Sequence, residues 1–87
     1  MNGIGWAVDR LKEGHQVCRE GWNGKNMFIY FVKGGGFIVN RAPLLGIYPP
    51  GTECHYQDHV DMKTAGGSCV PWLCSQSDLL ATDWRLV

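Results

Sequence analysis

Met27-Phe28-Ile29-Tyr30-Phe31-Val32 is the segment that most restricts how this chain can fold. Its residues are aromatic, β-branched or large and apolar, and turn-forming residues bound it on both sides: Trp22-Asn23-Gly24-Lys25 before it and Gly34-Gly35-Gly36 after it. That composition between such boundaries reads as a strand. The three glycines predict a hairpin loop that returns the chain as Phe37-Ile38-Val39, an antiparallel neighbour of the first strand. Val17 starts a shorter strand upstream. Before it, Ile4, Ala7, Val8 and Leu11 fall at i, i+3, i+4 and i+7, an apolar helical stripe that Gly14 can end. From Asn40 to Thr52 the prolines Pro43, Pro49 and Pro50 and two glycines predict an ordered loop, of the length that in small domains serves function or an interface. Glu53 to Met62 then pairs with Ser68-Cys69-Val70-Pro71-Trp72 across Gly66-Gly67 as a second hairpin. Ser75 opens a short helix, its hydroxyl placed to accept from the Asp78 amide, and Asp83 to Val87 closes the chain as a strand. The class is α+β: a small twisted antiparallel sheet, an amphipathic N-terminal helix and a short C-terminal helix, in a single domain over residues 1–87.

A chain of 87 residues buries only about 60% of its unfolded surface, so its own core is marginal and oligomerisation is expected. Eight basic and eight acidic side chains cancel. No long-range field draws such a chain to DNA or to an anionic membrane, and an anionic ligand must be held by local donors. The N-terminal residues lack the regions of a signal peptide and no apolar run reaches the length of a membrane span, so a cytoplasmic protein is expected. Cys18, Cys54, Cys69 and Cys74, with His55 and His59, raise the question of zinc or disulfides. None of the cysteines forms a Cys-x-x-Cys pair, and a reducing compartment keeps thiols free, so neither is expected.

Trp22 and Trp72 each stand beside residues that present polar groups. A base stacked on an indole gains about 1–3 kcal/mol without sequence preference, and helix-start N–H groups suit phosphate. The competing reading is that tryptophans in so small a domain fill the core or an oligomer contact. That reading is adopted for Trp6, which lies off the helical stripe and is expected to meet a neighbouring subunit, and for Trp84, expected to pack beneath the last helix. Arg19, Lys25, Arg41 and Lys63 are cations able to neutralise a phosphate. Asp58, His59 and Asp61 could form an acid–base pair, but strand alternation turns His59 away from Asp58, and no second motif supplies a nucleophile or oxyanion hole. A Cys54–His59 dyad is a nonspecific pairing of residue types.

Read together, Arg19-Glu20-Gly21-Trp22-Asn23-Gly24-Lys25, Pro43-Leu44-Leu45-Gly46-Ile47-Tyr48-Pro49, Asp61-Met62-Lys63-Thr64-Ala65-Gly66-Gly67, Val70-Pro71-Trp72-Leu73, Ser75-Gln76-Ser77-Asp78-Leu79-Leu80 and Asp83-Trp84 resemble the Thoeris anti-defense 2-like family of phages and prophages. The resemblance spans nearly the whole chain. It implies a homotetrameric sponge, in the cytoplasm of an infected or lysogenic bacterium, that sequesters nucleotide immune second messengers without cleaving them. The ligands implied are cyclic ADP-ribose isomers made by TIR-domain proteins, with cyclic dinucleotides for some similar proteins; no cofactor, metal or catalytic residue is implied. Carried over by position, the ligand-binding residues are Trp22, Asn23, Trp72, Ser77 and Asp78: the indoles to stack on a base, Asn23 and Asp78 to read base edges or ribose hydroxyls, Ser77 to meet phosphate or ribose. Ser77 stands where the family often has Thr, and Cys18 and Cys74 where Ala is common. Two other classes remain open on the sequence, a phage structural or protein-interaction module and a small nucleotide hydrolase.

Overall fold

The computed structural model describes residues 1–22 and 26–87. Helix α1 spans Ile4–Lys12 and β1 spans Val17–Arg19; β2 is Phe28–Val32, β3 Gly35–Ile38, β4 Glu53–Tyr56, β5 His59–Lys63 and β6 Cys69–Pro71. Helix α2, Gln76–Leu80, and β7, Trp84–Leu86, complete the order. Five strands form an antiparallel sheet in the order β6-β5-β2-β1-β7, so the apolar Phe28–Val32 strand is central, as its composition requires. The fold is α+β with an N-terminal and a short C-terminal helix.

Helix α1 lies on one face of this sheet. Ala7 and Leu11 are buried with Val17, Ile29 and Trp84, forming the core cluster. Val8, which belongs to the expected stripe, is instead 37% exposed. The stripe is one residue narrower than its spacing implies because the helix packs over β1, β2 and β7 and leaves its Val8 side outside that contact. The helix ends in a hydrogen-bonded cap: Gly14 N–H donates to the Leu11 carbonyl (2.9 Å) and His15 N–H to that of Arg10 (3.1 Å), with Gly14 at φ +93°. Trp6 is half-buried, packed against the core, with the Arg10 guanidinium 5.7 Å over its ring. The two chain ends are sewn together: Asn2 N–H donates to the Thr82 carbonyl, Trp84 N–H to that of Asn2, and the Asn2 amide to that of Trp84.

The triglycine hairpin is corrected by the structure. Gly35 and Gly36 lie inside β3, which pairs not with β2 but with β4 in a separate two-stranded sheet. Gly34 has a steric role rather than a turn role: a Cβ there would collide with the Tyr56 carbonyl, so glycine lets the outgoing and returning chains cross closely. Its N–H donates to Asp58 Oδ1 at 2.8 Å. The expected strand Glu53–Met62 is accordingly two strands, β4 and β5, and only β5 forms the second hairpin with β6. Among the described residues β3 and β4 pack on no other helix or strand. With the intervening loop they form an arm. The molecule measures 49 × 26 × 21 Å with a radius of gyration of 16.0 Å, against about 12 Å for a compact chain of this length.

Candidate functional site

The site is assembled from three segments distant in sequence. Strand β1 ends at Arg19, whose carbonyl accepts from Trp22 N–H at 3.2 Å, closing the turn that carries Trp22. Strand β6 is prolonged by the Trp72 N–H to Val60 carbonyl bond (3.0 Å), which puts Trp72 on the helix-covered face. Ser75 caps α2 as its sequence predicts, its Oγ accepting from Asp78 N–H at 3.1 Å.

Trp84, 1% exposed, is the hub. Trp22 and Trp72 both meet it edge-to-face, with ring centroids at 5.3 Å and 6.0 Å and interplanar angles of 82° and 88°. Both outer indoles are half-buried and keep part of their surface toward solvent. The Trp84 indole N–H donates to the Asp78 carbonyl (3.2 Å). The Asp78 carboxylate, in a residue only 8% exposed, accepts from Trp22 Nε1 (3.0 Å) and Arg19 Nη1 (2.8 Å) on the same oxygen. Arg19 also donates from Nε to Asp83 Oδ1 (2.7 Å), while Asp83 Oδ2 accepts from Gly21 N–H (2.8 Å).

These contacts fix the charge states. Burial pushes the Asp78 carboxyl up, but hydrogen bonds involving Arg19, Trp22 and Ser75 outweigh it and hold the group below the ordinary 3.8. The Arg19 hydrogen bond holds Asp83 below that value too, and both carboxylates raise the Arg19 guanidinium. The trio carries one positive and two negative charges. Such a cluster attracts N–H and O–H donors, the groups found on base edges and riboses, and repels phosphate.

Of the five residues singled out in the sequence, the structure brings Trp22, Trp72 and Asp78 together around Trp84. Ser77 is exposed in the first turn of α2, one residue from Asp78. Asn23 lies outside the described residues. Sequence reasoning treated Trp84 as packing only and did not single out Asp83; their one signal was the Asp83-Trp84 pair itself. A cavity of about 320 Å³ borders the cluster, lined by Arg19, Trp22, Asn26 and Arg85 among others. A larger one, about 570 Å³, lies on the arm between Phe37, Tyr56 and the 40–44 loop and contains none of these residues.

His59 and Asp61 stand 3.5 Å apart, Nε2 to Oδ1. Both lie on the opposite face of the sheet from the tryptophans, since they alternate with Val60 and Met62, which pack against the core. Asp58 is bonded to Gly34 N–H, and Cys54 belongs to the arm. The four cysteines are free thiols. Among the described residues no three His, Cys, Asp or Glu side chains converge as a metal cluster.

Residues 2–87 match the Thoeris anti-defense 2-like domain. A relative from Bacillus phage SP01, "Thoeris anti-defense 2", is 37% identical over 84 residues, covering 97% of this chain and 92% of that protein. With a match running from the second residue to the last and a relative of nearly equal length, the chain belongs to the Thoeris anti-defense 2-like family, whose general role is anti-defense.

Proposed function

We propose that the protein acts by sequestration: it holds a nucleotide immune messenger, of the cyclic ADP-ribose or cyclic dinucleotide type, and returns it chemically intact. The observation that carries this reading is the pair of half-buried tryptophans, Trp22 and Trp72, both backed by the buried Trp84 and one of them pinned by Asp78. Each indole offers a base about 1–3 kcal/mol of stacking. The exposed Ser77 hydroxyl supplies a ribose or phosphate contact, and the net negative trio directs phosphate away from itself toward Arg85 at the rim of the neighbouring cavity. Nanomolar capture, about −12 kcal/mol, needs two such stacks plus several charge-assisted hydrogen bonds. In this reading the His59–Asp61 pair, on the opposite face of the sheet from the indoles, takes no part in binding.

The working form in this reading is a homotetramer in the bacterial cytoplasm. A compact folded chain of 9.7 kDa exposes about 5,100 Å². This one exposes 6160 Å², an excess of about 1,000 Å², close to one partner's share of a standard interface. The arm carries a group of exposed apolar side chains, Ile38, Ile47, Tyr48 and Tyr56, at 54%, 66%, 46% and 60%. A second copy is the occupant that fits.

Calorimetric titration with a panel of cyclic ADP-ribose isomers and cyclic dinucleotides tests the site. Trp22→Ala and Trp72→Ala should each weaken binding roughly ten- to a hundredfold, and His59→Ala should leave it unchanged. Parent-like binding by both tryptophan variants would move the site elsewhere.

A further inference from the structure

Arg19 ends β1 with its side chain 18% exposed, and both faces of its donor fork are taken by carboxylates. Nε meets Asp83 at 2.7 Å and Nη1 meets Asp78 at 2.8 Å, so the side chain bridges the start of β7 to the first turn of α2. What the bridge encloses is the turn that bears Trp22. Asp83 holds the turn by its Gly21 N–H, Asp78 holds the Trp22 indole by its N–H, and Arg19 holds both carboxylates in register. Space is closed as well: a Cβ on Gly21 would stand 2.9 Å from Asp83 Oδ2 and 3.1 Å from Arg19 Nη2. An arginine so placed has few donors left for a phosphate. Its planar fork matches two carboxylates in a way a lysine cannot.

We propose that Arg19 and Asp83 are positioning residues of the Trp22 site, a clamp that sets the indole plane before ligand arrives and so removes the cost of ordering it on binding. The inference rests on the sequestration reading and deepens it. An indole held in its binding geometry costs nothing to order, whereas one that holds it a tenth of the time weakens apparent affinity about tenfold.

The sign of one substitution separates this from the simpler idea that Arg19 grips phosphate. Asp83→Asn removes a negative charge beside the site of an anionic ligand; on charge alone affinity should rise, whereas loss of the clamp should lower it. The experiment titrates parent, Asp83→Asn, Arg19→Lys, Gly21→Ala and Trp22→Ala with whichever cyclic ADP-ribose isomer or cyclic dinucleotide the parent retains, at two salt concentrations. It also records ¹H–¹⁵N indole resonances, with the Trp22 signal assigned from its absence in Trp22→Ala. The clamp predicts about tenfold weaker binding by Asp83→Asn, Arg19→Lys and Gly21→Ala, with the Trp22 indole signal moved or broadened and the Trp84 signal kept. Three variants guard against one failing to fold. Tighter binding by Asp83→Asn, or an unmoved Trp22 signal in the variants, overturns the clamp while leaving Trp22→Ala to report on the site. If Trp22→Ala binds like the parent, the sequestration site at Trp22 falls and the clamp falls with it.

Discussion

Replacing Trp84 by Phe is the substitution that weighs most on this architecture. Trp84 is 1% exposed, its indole N–H satisfies the Asp78 carbonyl at 3.2 Å, and its ring backs Trp22 and Trp72. Phenylalanine keeps one ring but leaves about 40 Å³ unfilled, worth about 1 kcal/mol at roughly 24 cal/mol per Å³. Loss of the N–H bond leaves the Asp78 carbonyl only the longer bond from Ala81 N–H, at 3.4 Å, and costs about 1 kcal/mol more. Weakening two edge-to-face contacts, each worth about 0.5–1.5 kcal/mol, brings the total near 3 kcal/mol. For a domain of this size each kcal/mol moves the unfolding midpoint by about 4–8 °C, so a drop of about 12–24 °C is expected. Thermal melts by circular dichroism, run at one protein concentration because an oligomer's midpoint depends on it, supply the measurement. Leu80→Ala is the matched control: at 76% exposure the change should stay within about 0.5 kcal/mol. A Trp84→Phe midpoint within about 3 °C of the parent would refute the claim that this indole organises the site.

Acid should loosen the protein through the same cluster. Asp78 and Asp83 titrate below their ordinary 3.8 in the folded chain, so their stabilisation is fully present above that value and is lost as pH falls through the lower folded values. Melting midpoints should decline as buffers pass from pH 5 to pH 3, and Arg19→Gln should flatten that decline; identical slopes would show the carboxylates to be uncoupled from Arg19. On the arm, Ile47→Asp with Tyr48→Asp places charge on exposed apolar positions. Light scattering should then show smaller particles than the parent's at micromolar concentration, and unchanged mass would remove the arm from the interface.

The parts of this fold that were legible in the sequence are those written in local chemistry. The Ile4, Ala7 and Leu11 spacing located α1, Ser75 and Asp78 located the cap of α2, and the aromatic run at Phe28–Val32 located the central strand. Gly34-Gly35-Gly36 misled because glycine serves two ends: it frees a turn, and it lets backbones pass closely. Only the tertiary neighbour, the Tyr56 carbonyl, distinguishes them. The clamp was hidden for a related reason. Arg19 and Asp83 are separated by 64 positions, and a charge pair at that distance leaves no periodicity to read. Trp22, Trp72 and Asp78 were selected from the family motifs, whereas their common support on Trp84 emerged from the packing alone.

The central claim is capture without chemistry, and what the protein gives back tests it most directly. Purified protein is incubated with cyclic ADP-ribose isomers and cyclic dinucleotides, freed of unbound ligand by gel filtration, denatured, and the released material chromatographed with mass detection. The account predicts one or more of these nucleotides recovered intact, in fixed proportion to the oligomer and at levels unaffected by longer incubation. Cleaved product, growing with time, would make the protein a hydrolase; no retained nucleotide from any member of the panel would make it an interaction module, and either result contradicts the account.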